Sequence, residues 1–154
     1  MDPIFKKMNF KNQEQILVIN APDSFRPPME AMMELTHIEE QMDKLGSCNY
    51  IVVFVTQKAE IDQLAPILHP KMEGDAMLWI AYPKKSSKNY KSDISRDHGW
   101  EVIGELGLEP VRLVAIDQDW SAMRLRKVEF IKNITRRSSM ALTKEAKQRT
   151  TNKK

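Results

Sequence analysis

The chain has 154 residues, 42% of them hydrophobic and 29% charged, with a net charge of +3 and one cysteine. This composition is typical of one soluble globular domain and excludes collagen-like, wholly disordered and disulfide-stabilised proteins. The longest apolar runs, at 50–55 and 76–82, are far below the roughly 20 residues of a membrane span. Residues 1–7 lack a secretory signal, so we expect a cytoplasmic protein without a membrane segment.

The predicted elements of the first 131 residues alternate between strands and helices. In chain order they are a strand at 15–20, a helix at 29–45, a strand at 50–55, a helix at 61–68, a strand at 76–82, a helix from Ser95 or Asp97 to 106, and strands at 111–116 and 121–130.

This order predicts an α/β fold, a three-layer Rossmann-like sandwich. The runs at 50–55 and 76–82 are continuously apolar, as in parallel strands covered on both faces. The last segment alternates, with Met123 and Leu125 against Arg124 and Arg126, and it follows the previous strand closely. We therefore expect a mainly parallel sheet with a C-terminal antiparallel hairpin.

Charge is divided unevenly along the chain. Residues 132–154 contain eight basic residues and one acidic residue, a net charge of +7, whereas residues 1–131 carry −4. The C-terminal segment also lacks aromatic residues and is rich in Ser, Thr and Asn. We predict a single α/β domain over 1–131 and a basic, disordered tail over 132–154.

The loop after the third predicted strand is the candidate site, because open α/β sheets bind ligands beyond the carboxyl ends of their strands. It gathers four lysines, two hydroxyls and an amide within eight residues, a set that suits phosphate or carboxylate. A hydrated surface loop is the alternative interpretation. The residues predicted to line an anion site are Lys84, Lys85, Ser86 and Ser87, with Asn20 and Trp120 beside them.

The loop at 20–25 argues against a standard nucleotide or S-adenosylmethionine site. It contains no glycine, and Pro22 and Phe25 obstruct the close backbone approach that such ligands need. No acidic residue follows the next predicted strand, at 50–55. We therefore predict no cofactor.

Metal and nucleophilic chemistry have little support. The three histidines are far apart in sequence, and Cys48 precedes a buried strand with no base identified beside it. We predict no metal site and no catalytic residue, so the sequence favours a protein that is not an enzyme.

Three motifs point to a family. The strand end at 79–84 reads W-I-A-Y-P-K, the helix exit at 107–111 reads G-L-E-P-V, and the hairpin at 117–124 reads D-Q-D-W-S-A-M-R. Together they resemble an uncharacterised bacterial family of small Rossmann-like proteins, known as a domain of unknown function. The resemblance covers roughly residues 13–130 and implies a fold but no activity. More distantly, the element order is similar to the second half of a class I methyltransferase.

Three functions remain open. The main hypothesis is a non-catalytic protein that binds an anionic small ligand or a protein partner at the carboxyl edge of the sheet. The alternatives are a degenerate S-adenosylmethionine-dependent methyltransferase and a nucleic-acid-associated protein that acts through its basic tail, 132–154. The sequence does not specify the oligomeric state.

Overall fold

A computed structural model describes residues 1–131, and the predicted basic tail lies outside the described residues. The helices and strands are α1 (Pro3–Lys7), β1 (Gln15–Ile19), α2 (Arg26–Met32), β2 (His37–Glu39), β3 (Cys48–Phe54), α3 (Lys58–Leu68), β4 (Met72–Pro83), α4 (Glu101–Glu105), β5 (Leu108–Ala115) and β6 (Trp120–Lys127). Short 3-10 turns lie at Asp23–Phe25, Met42–Lys44, His69–Lys71 and Val128–Phe130. None of the helices in this part of the chain is long and apolar enough to cross a membrane.

The strands form one six-stranded mixed sheet in the order β2-β1-β3-β4-β6-β5. The pairs β1–β2, β1–β3 and β3–β4 are parallel, and β6 pairs antiparallel with β4 on one side and β5 on the other. The predicted α/β fold with an antiparallel C-terminal part is therefore confirmed. The last strand enters the sheet between two earlier ones and does not extend its edge.

Two apolar layers cover the sheet, because alternate residues of its central strands point to opposite faces. On the α3 face, Ile51, Val53 and Leu78 pack with residues of α3 and α4. On the α1 face, Val52 and Trp79 pack with residues of α1 and α2. Helices on both faces make the predicted three-layer sandwich.

Helix α1 was not predicted from the sequence, although its start carries a recognisable capping signal. The Asp2 side chain accepts hydrogen bonds from the backbone N–H groups of Ile4 (2.8 Å) and Phe5 (3.3 Å). Pro3 occupies the first helical position, where its missing N–H group costs nothing. The cap fixes this one-and-a-half-turn helix so that Phe5 reaches the core of the α1 face.

The predicted helix over 29–45 is wrong. Helix α2 ends at Met32, and residues 37–39 form the edge strand β2 beside β1. The Thr36 hydroxyl donates to the carbonyl of Gln13 at 2.8 Å, and the N–H of His37 donates to the carbonyl of Glu14 at 3.0 Å. These bonds draw the segment onto the sheet, so tertiary pairing overrides its helical apolar spacing.

The helix predicted to end at 106 is shorter than expected, because α4 begins only at Glu101. Neither Ser95 nor Asp97 caps it. The carbonyl of Ser95 instead accepts hydrogen bonds from the indole Nε1 of Trp100, at 2.8 Å, and from the backbone N–H of His98, at 3.4 Å, while the N–H of Ser95 donates to the carbonyl of His98 at 3.1 Å. Residues 95–100 are thereby a turn, and this turn forms one wall of the candidate site.

Candidate functional site

The strand order places the topological switch point between β1 and β3. From β1 the chain continues to β2 on one side, whereas β3 and β4 lie on the other side. Ligands of open α/β sheets bind beyond the carboxyl ends of the strands, at such a point. The loops that follow β1, β3 and β4 lie at this edge, and they include the two loops at 20–25 and after 82 that the sequence analysis singled out.

On the α1 face, a row of aromatic side chains packs this edge. Phe25 contacts Phe54 with ring centroids 4.9 Å apart, Phe54 contacts Trp120 at 5.1 Å, and Trp120 contacts Tyr90 at 4.8 Å. The first three rings are at most 3% exposed. We call these four residues the aromatic row. Its rings fill the side of the edge where a glycine-rich loop would leave space for a ligand.

On the α3 face, an open groove of about 500 Å³ lies beyond the end of β4. We call it the edge groove. Its lining comprises Tyr82, Pro83, Lys84, Lys85, Ser86, Ile94, Ser95, Arg96, Asp97 and Ser121. Three cations and three serine hydroxyls thus surround a floor that contains the buried side chains of Tyr82 and Ile94.

Asp119, the residue directly before β6, holds the lysine-bearing loop. Its carboxylate accepts hydrogen bonds from the Ser87 hydroxyl at 2.8 Å and from the Asn89 amide at 3.1 and 3.3 Å. Its backbone carbonyl accepts from the N–H of Lys84 at 2.7 Å. The Ser87 hydroxyl in turn accepts from the N–H of Tyr90 at 3.1 Å. These bonds fix the backbone that carries the two groove lysines.

The opposite wall of the edge groove depends on Trp100. Its ring packs against Tyr82 with centroids 5.6 Å apart, while its Nε1 holds the carbonyl of Ser95. Gly99 has a φ of 108°, a conformation that side chains rarely adopt, so the turn needs glycine here. Burial raises the pKa of Tyr82, with Arg96 opposing and Asp97 adding to the rise, so its hydroxyl stays protonated at neutral pH.

The edge groove carries excess positive charge. Arg96 and Asp97 form an ion pair with 4.0 Å between Nε and Oδ1, and both side chains are more than 60% exposed. An exposed pair at this distance is weak. Lys84 and Lys85 add two further charges against that single carboxylate of the lining. Such an arrangement can bind a carboxylate or phosphate with its apolar part on Pro83 and Ile94.

The structure brings together three of the six predicted site residues, because Lys84, Lys85 and Ser86 all line the edge groove. Ser87 is turned towards Asp119, and Trp120 is 3% exposed within the aromatic row.

Asn20 lies apart from that group. It follows β1 as an exposed residue with a φ of 60° and is absent from the groove lining. The ligand-binding role of all six residues remains a prediction.

Sequence reasoning missed Arg96 and Ser121, which also line the edge groove. A signal existed for Ser121, because it alternates with Trp120 on a strand predicted to run antiparallel. In the ladder it lies opposite Tyr82, at the carboxyl end of β4. For Arg96 the sequence offers no signal, since a turn anchored by Trp100 carries it to the groove.

The prediction that no acidic residue follows the strand after β1 is wrong. The strand after β1 is β2, and it ends at Glu39, followed by Glu40. Both carboxylates have partners within the chain. Hydrogen bonds from the backbone N–H groups of Gln41 and Glu40 lower the pKa of Glu39, and Glu40 forms an ion pair with Arg26 at 2.6 Å.

The fold is shared with solved methyltransferases. An S-adenosylmethionine-dependent methyltransferase of Aquifex aeolicus matches with a TM-score of 0.54 and 14% identity, over 81% of this chain and 88% of that one. An O-methyltransferase family 2 protein of Planctomyces limnophilus has a TM-score of 0.55 at 9% identity, over 82% and 56%.

A third similar structure is the ribosomal protein L11 methylase of Lactobacillus delbrueckii subsp. bulgaricus. It has a TM-score of 0.51 at 12% identity, over 80% of this chain and 75% of that one. No family model and no curated protein matches the sequence. The resemblance to the uncharacterised bacterial family stays a prediction. These similarities establish a Rossmann-like fold of the kind seen in methyltransferases.

Proposed function

We propose that this protein binds a small anionic ligand in the edge groove and catalyses no methyl transfer. The observation that carries the proposal is the placement of Lys84, Lys85 and Arg96 around one open groove at the carboxyl edge. Hydrogen bonds between cationic side chains and carboxylate or phosphate are among the stronger polar contacts in proteins.

Preorganisation supports this function. The hydrogen bonds that Asp119 accepts from Lys84, Ser87 and Asn89 fix the loop backbone before any ligand arrives. A ligand then orders only the ends of the lysine side chains, which reduces the entropic cost of binding. The buried Ile94 beside them favours a ligand with an apolar part as well as a charge.

A matched pair of double variants tests the proposal. Lys84→Ala/Lys85→Ala removes two groove cations, whereas Lys88→Ala/Lys91→Ala removes two exposed cations of the same loop that are outside the lining. A thermal-shift panel of phosphate esters, nucleotides and organic acids at low salt identifies a ligand, and calorimetry then measures its affinity.

We expect the groove variant to weaken binding by at least about tenfold, which is the effect of losing one charge-assisted hydrogen bond. The control variant should bind like the parent protein. Equal losses in both variants would show a diffuse charge effect and refute the groove. A panel in which no compound shifts the melting temperature would also reject a small anionic ligand.

The second candidate function is binding of S-adenosylmethionine at the switch point. The acidic pair at the end of β2 favours it, because a carboxylate at that strand end accepts hydrogen bonds from ribose in nucleotide-binding sheets of this type. The aromatic row and the engaged state of Glu39 and Glu40 oppose it.

Calorimetry with S-adenosylhomocysteine decides between the two functions. Binding that is lost in Glu39→Gln and retained in Lys84→Ala/Lys85→Ala would establish the switch-point site and contradict our main proposal. If S-adenosylhomocysteine does not bind, this second function is excluded, and the proposal that the edge groove binds an anionic ligand is unaffected.

A further inference from the structure

Three arginines lie on the α1 face of the antiparallel part of the sheet, away from the edge groove. Arg124 and Arg126 are two residues apart on β6, so they lie on the same face as Ala122, which packs in the core of the α1 face. Arg112 of β5 lies directly opposite Arg124 in the ladder. The register therefore places three guanidinium-bearing residues side by side.

Arg126 is fully paired with an acid. Its Nε and Nη2 donate to the two carboxylate oxygens of Asp75 at 2.8 and 2.6 Å, a fork-to-fork contact. Glu109, which lies opposite Arg126 in the ladder, is fully buried. The residue opposite Arg124 is another arginine, Arg112, so two like charges are carried by cross-strand neighbours on one face of the sheet.

Arg124 is half-buried and poorly satisfied. Its Nη1 donates to the side-chain oxygen of Asn9 at 3.4 Å, the long limit of a hydrogen bond. Its Nε is buried and has no hydrogen-bond partner among residues 1–131. A buried donor without an acceptor is destabilising, and so is a like-charged residue directly across a strand pair. Burial together with Arg126 and Arg112 also lowers the pKa of Arg124.

One bound oxyanion offsets the second of these unfavourable features, because it places a negative charge beside the two neighbouring arginines. Guanidinium groups bind phosphate oxygens in pairs, with a planar geometry that ammonium groups do not reproduce. Phosphate chemistry therefore fits this pair of arginines better than a single carboxylate.

We propose that Arg112 and Arg124 form a second anion site, which takes a phosphate group of a phosphate monoester or of a nucleic-acid backbone. The site is independent of the edge groove, because the groove residues Tyr82 and Ile94 belong to the opposite face of the sheet. It thus goes beyond the proposed function, and either site can exist without the other.

The test uses the full chain and inorganic phosphate as probe. A ¹H–¹⁵N spectrum reports the Nε–H signal of Arg124 during a phosphate titration. We expect that signal to shift, and Arg112→Gln to weaken the titration roughly tenfold, the loss of about one charge-assisted hydrogen bond. Arg124→Lys keeps the positive charge but loses the planar guanidinium that can donate two hydrogen bonds to one phosphate, so it should weaken binding by a similar factor. Arg112 is exposed, so its variant keeps the test valid if substitution of Arg124 unfolds the protein.

Lys44→Gln is the matched control, since it removes one exposed cation near the opposite end of the sheet.

A single-stranded oligonucleotide at equal phosphate concentration identifies the source of the ligand. Tighter binding of the oligonucleotide, weakened by Arg112→Gln, would assign the site to a nucleic-acid backbone, and equal binding of free phosphate would assign it to a small ester. The proposal is overturned if neither probe shifts the Arg124 signal, or if Arg112→Gln binds like Lys44→Gln. A failure of Lys84→Ala/Lys85→Ala to affect the groove would leave these outcomes unchanged.

Discussion

Replacing Asp119 by alanine should loosen the loop that carries the groove lysines. Its carboxylate accepts three hydrogen bonds between 2.8 and 3.3 Å, from Ser87 and Asn89. A hydrogen bond to a charged group contributes about 1.5–3 kcal/mol, and the exposure of Asn89 favours a total loss of about 2 kcal/mol. For a chain of this length, that lowers Tm by roughly 4–8 °C.

A double-mutant cycle with Ser87→Ala isolates the bond that matters most. We expect Ser87→Ala alone to lower the free energy of unfolding by about 1 kcal/mol. Because both single variants break the same bond, the loss in the double variant should be about 1 kcal/mol smaller than the sum of the two single losses. Urea unfolding measures each free energy. Trypsin supplies a second readout, because the freed loop exposes cleavage sites at Lys84, Lys85 and Lys88.

Asp97→Ala is the control, since it removes an exposed carboxylate whose ion pair with Arg96 spans 4.0 Å. Its stability should change by less than about 0.5 kcal/mol. Strictly additive losses at Ser87 and Asp119, with unchanged trypsin cleavage of the loop, would refute the reasoning.

Three further predictions concern a core hydrogen bond, a surface ion pair and the buried cysteine. Tyr50→Phe should lower the free energy of unfolding by about 1–3 kcal/mol, because the buried carbonyl of Met8 loses its 2.8 Å hydrogen bond; unchanged urea unfolding would contradict this. The hydrogen bonds from Arg126 lower the pKa of Asp75 below its usual 3.8, so their stabilisation is present at neutral pH and disappears as the pH falls through the lowered pKa. Asp75→Asn should therefore lower Tm at pH 7 by an amount that vanishes in strong acid, and a difference independent of pH would show that the ion pair is not its cause. Cys48 is buried and burial raises the pKa of its thiol, so a thiol reagent should react slowly with the native protein and rapidly in urea; equal rates would show that the thiol is accessible.

The centre of the sheet is predictable from sequence because its strands are covered on both faces. The predicted strands at 50–55 and 76–82 correspond to Cys48–Phe54 and Met72–Pro83. Continuous apolar runs have one stable environment in a protein of this size, between two helical layers.

The edge of the sheet is less predictable. The three-residue strand β2 forms because hydrogen bonds with residues 13–17 hold it there, and local apolar spacing contains no information on that pairing. Since the spacing of Leu35, Ile38 and Met42 matches a helix, pattern analysis selects the wrong element. The sequence alone therefore does not reveal that Glu39 and Glu40 follow the strand after β1.

The candidate site is likewise predictable only in part. Lys84, Lys85 and Ser86 were predictable because they directly follow a buried strand. Ser121 reaches the groove through the register of β6 against β4, and Arg96 reaches it through a turn held by an indole. Register and long-range hydrogen bonds arise only in the folded chain.

The insertion of β6 between β4 and β5 has a consequence for the order of folding. During synthesis β5 emerges before β6, the one strand that pairs with it among residues 1–131, so it waits unpaired until residues 120–127 leave the ribosome. Pairing of β6 then closes both ladders in one step, and the same step delivers Asp119 to the loop after β4. The parallel half of the molecule can therefore form early, whereas the lysine loop acquires its fixed shape only with the last strand. A folding intermediate that lacks β6 should bind none of the ligands of the edge groove.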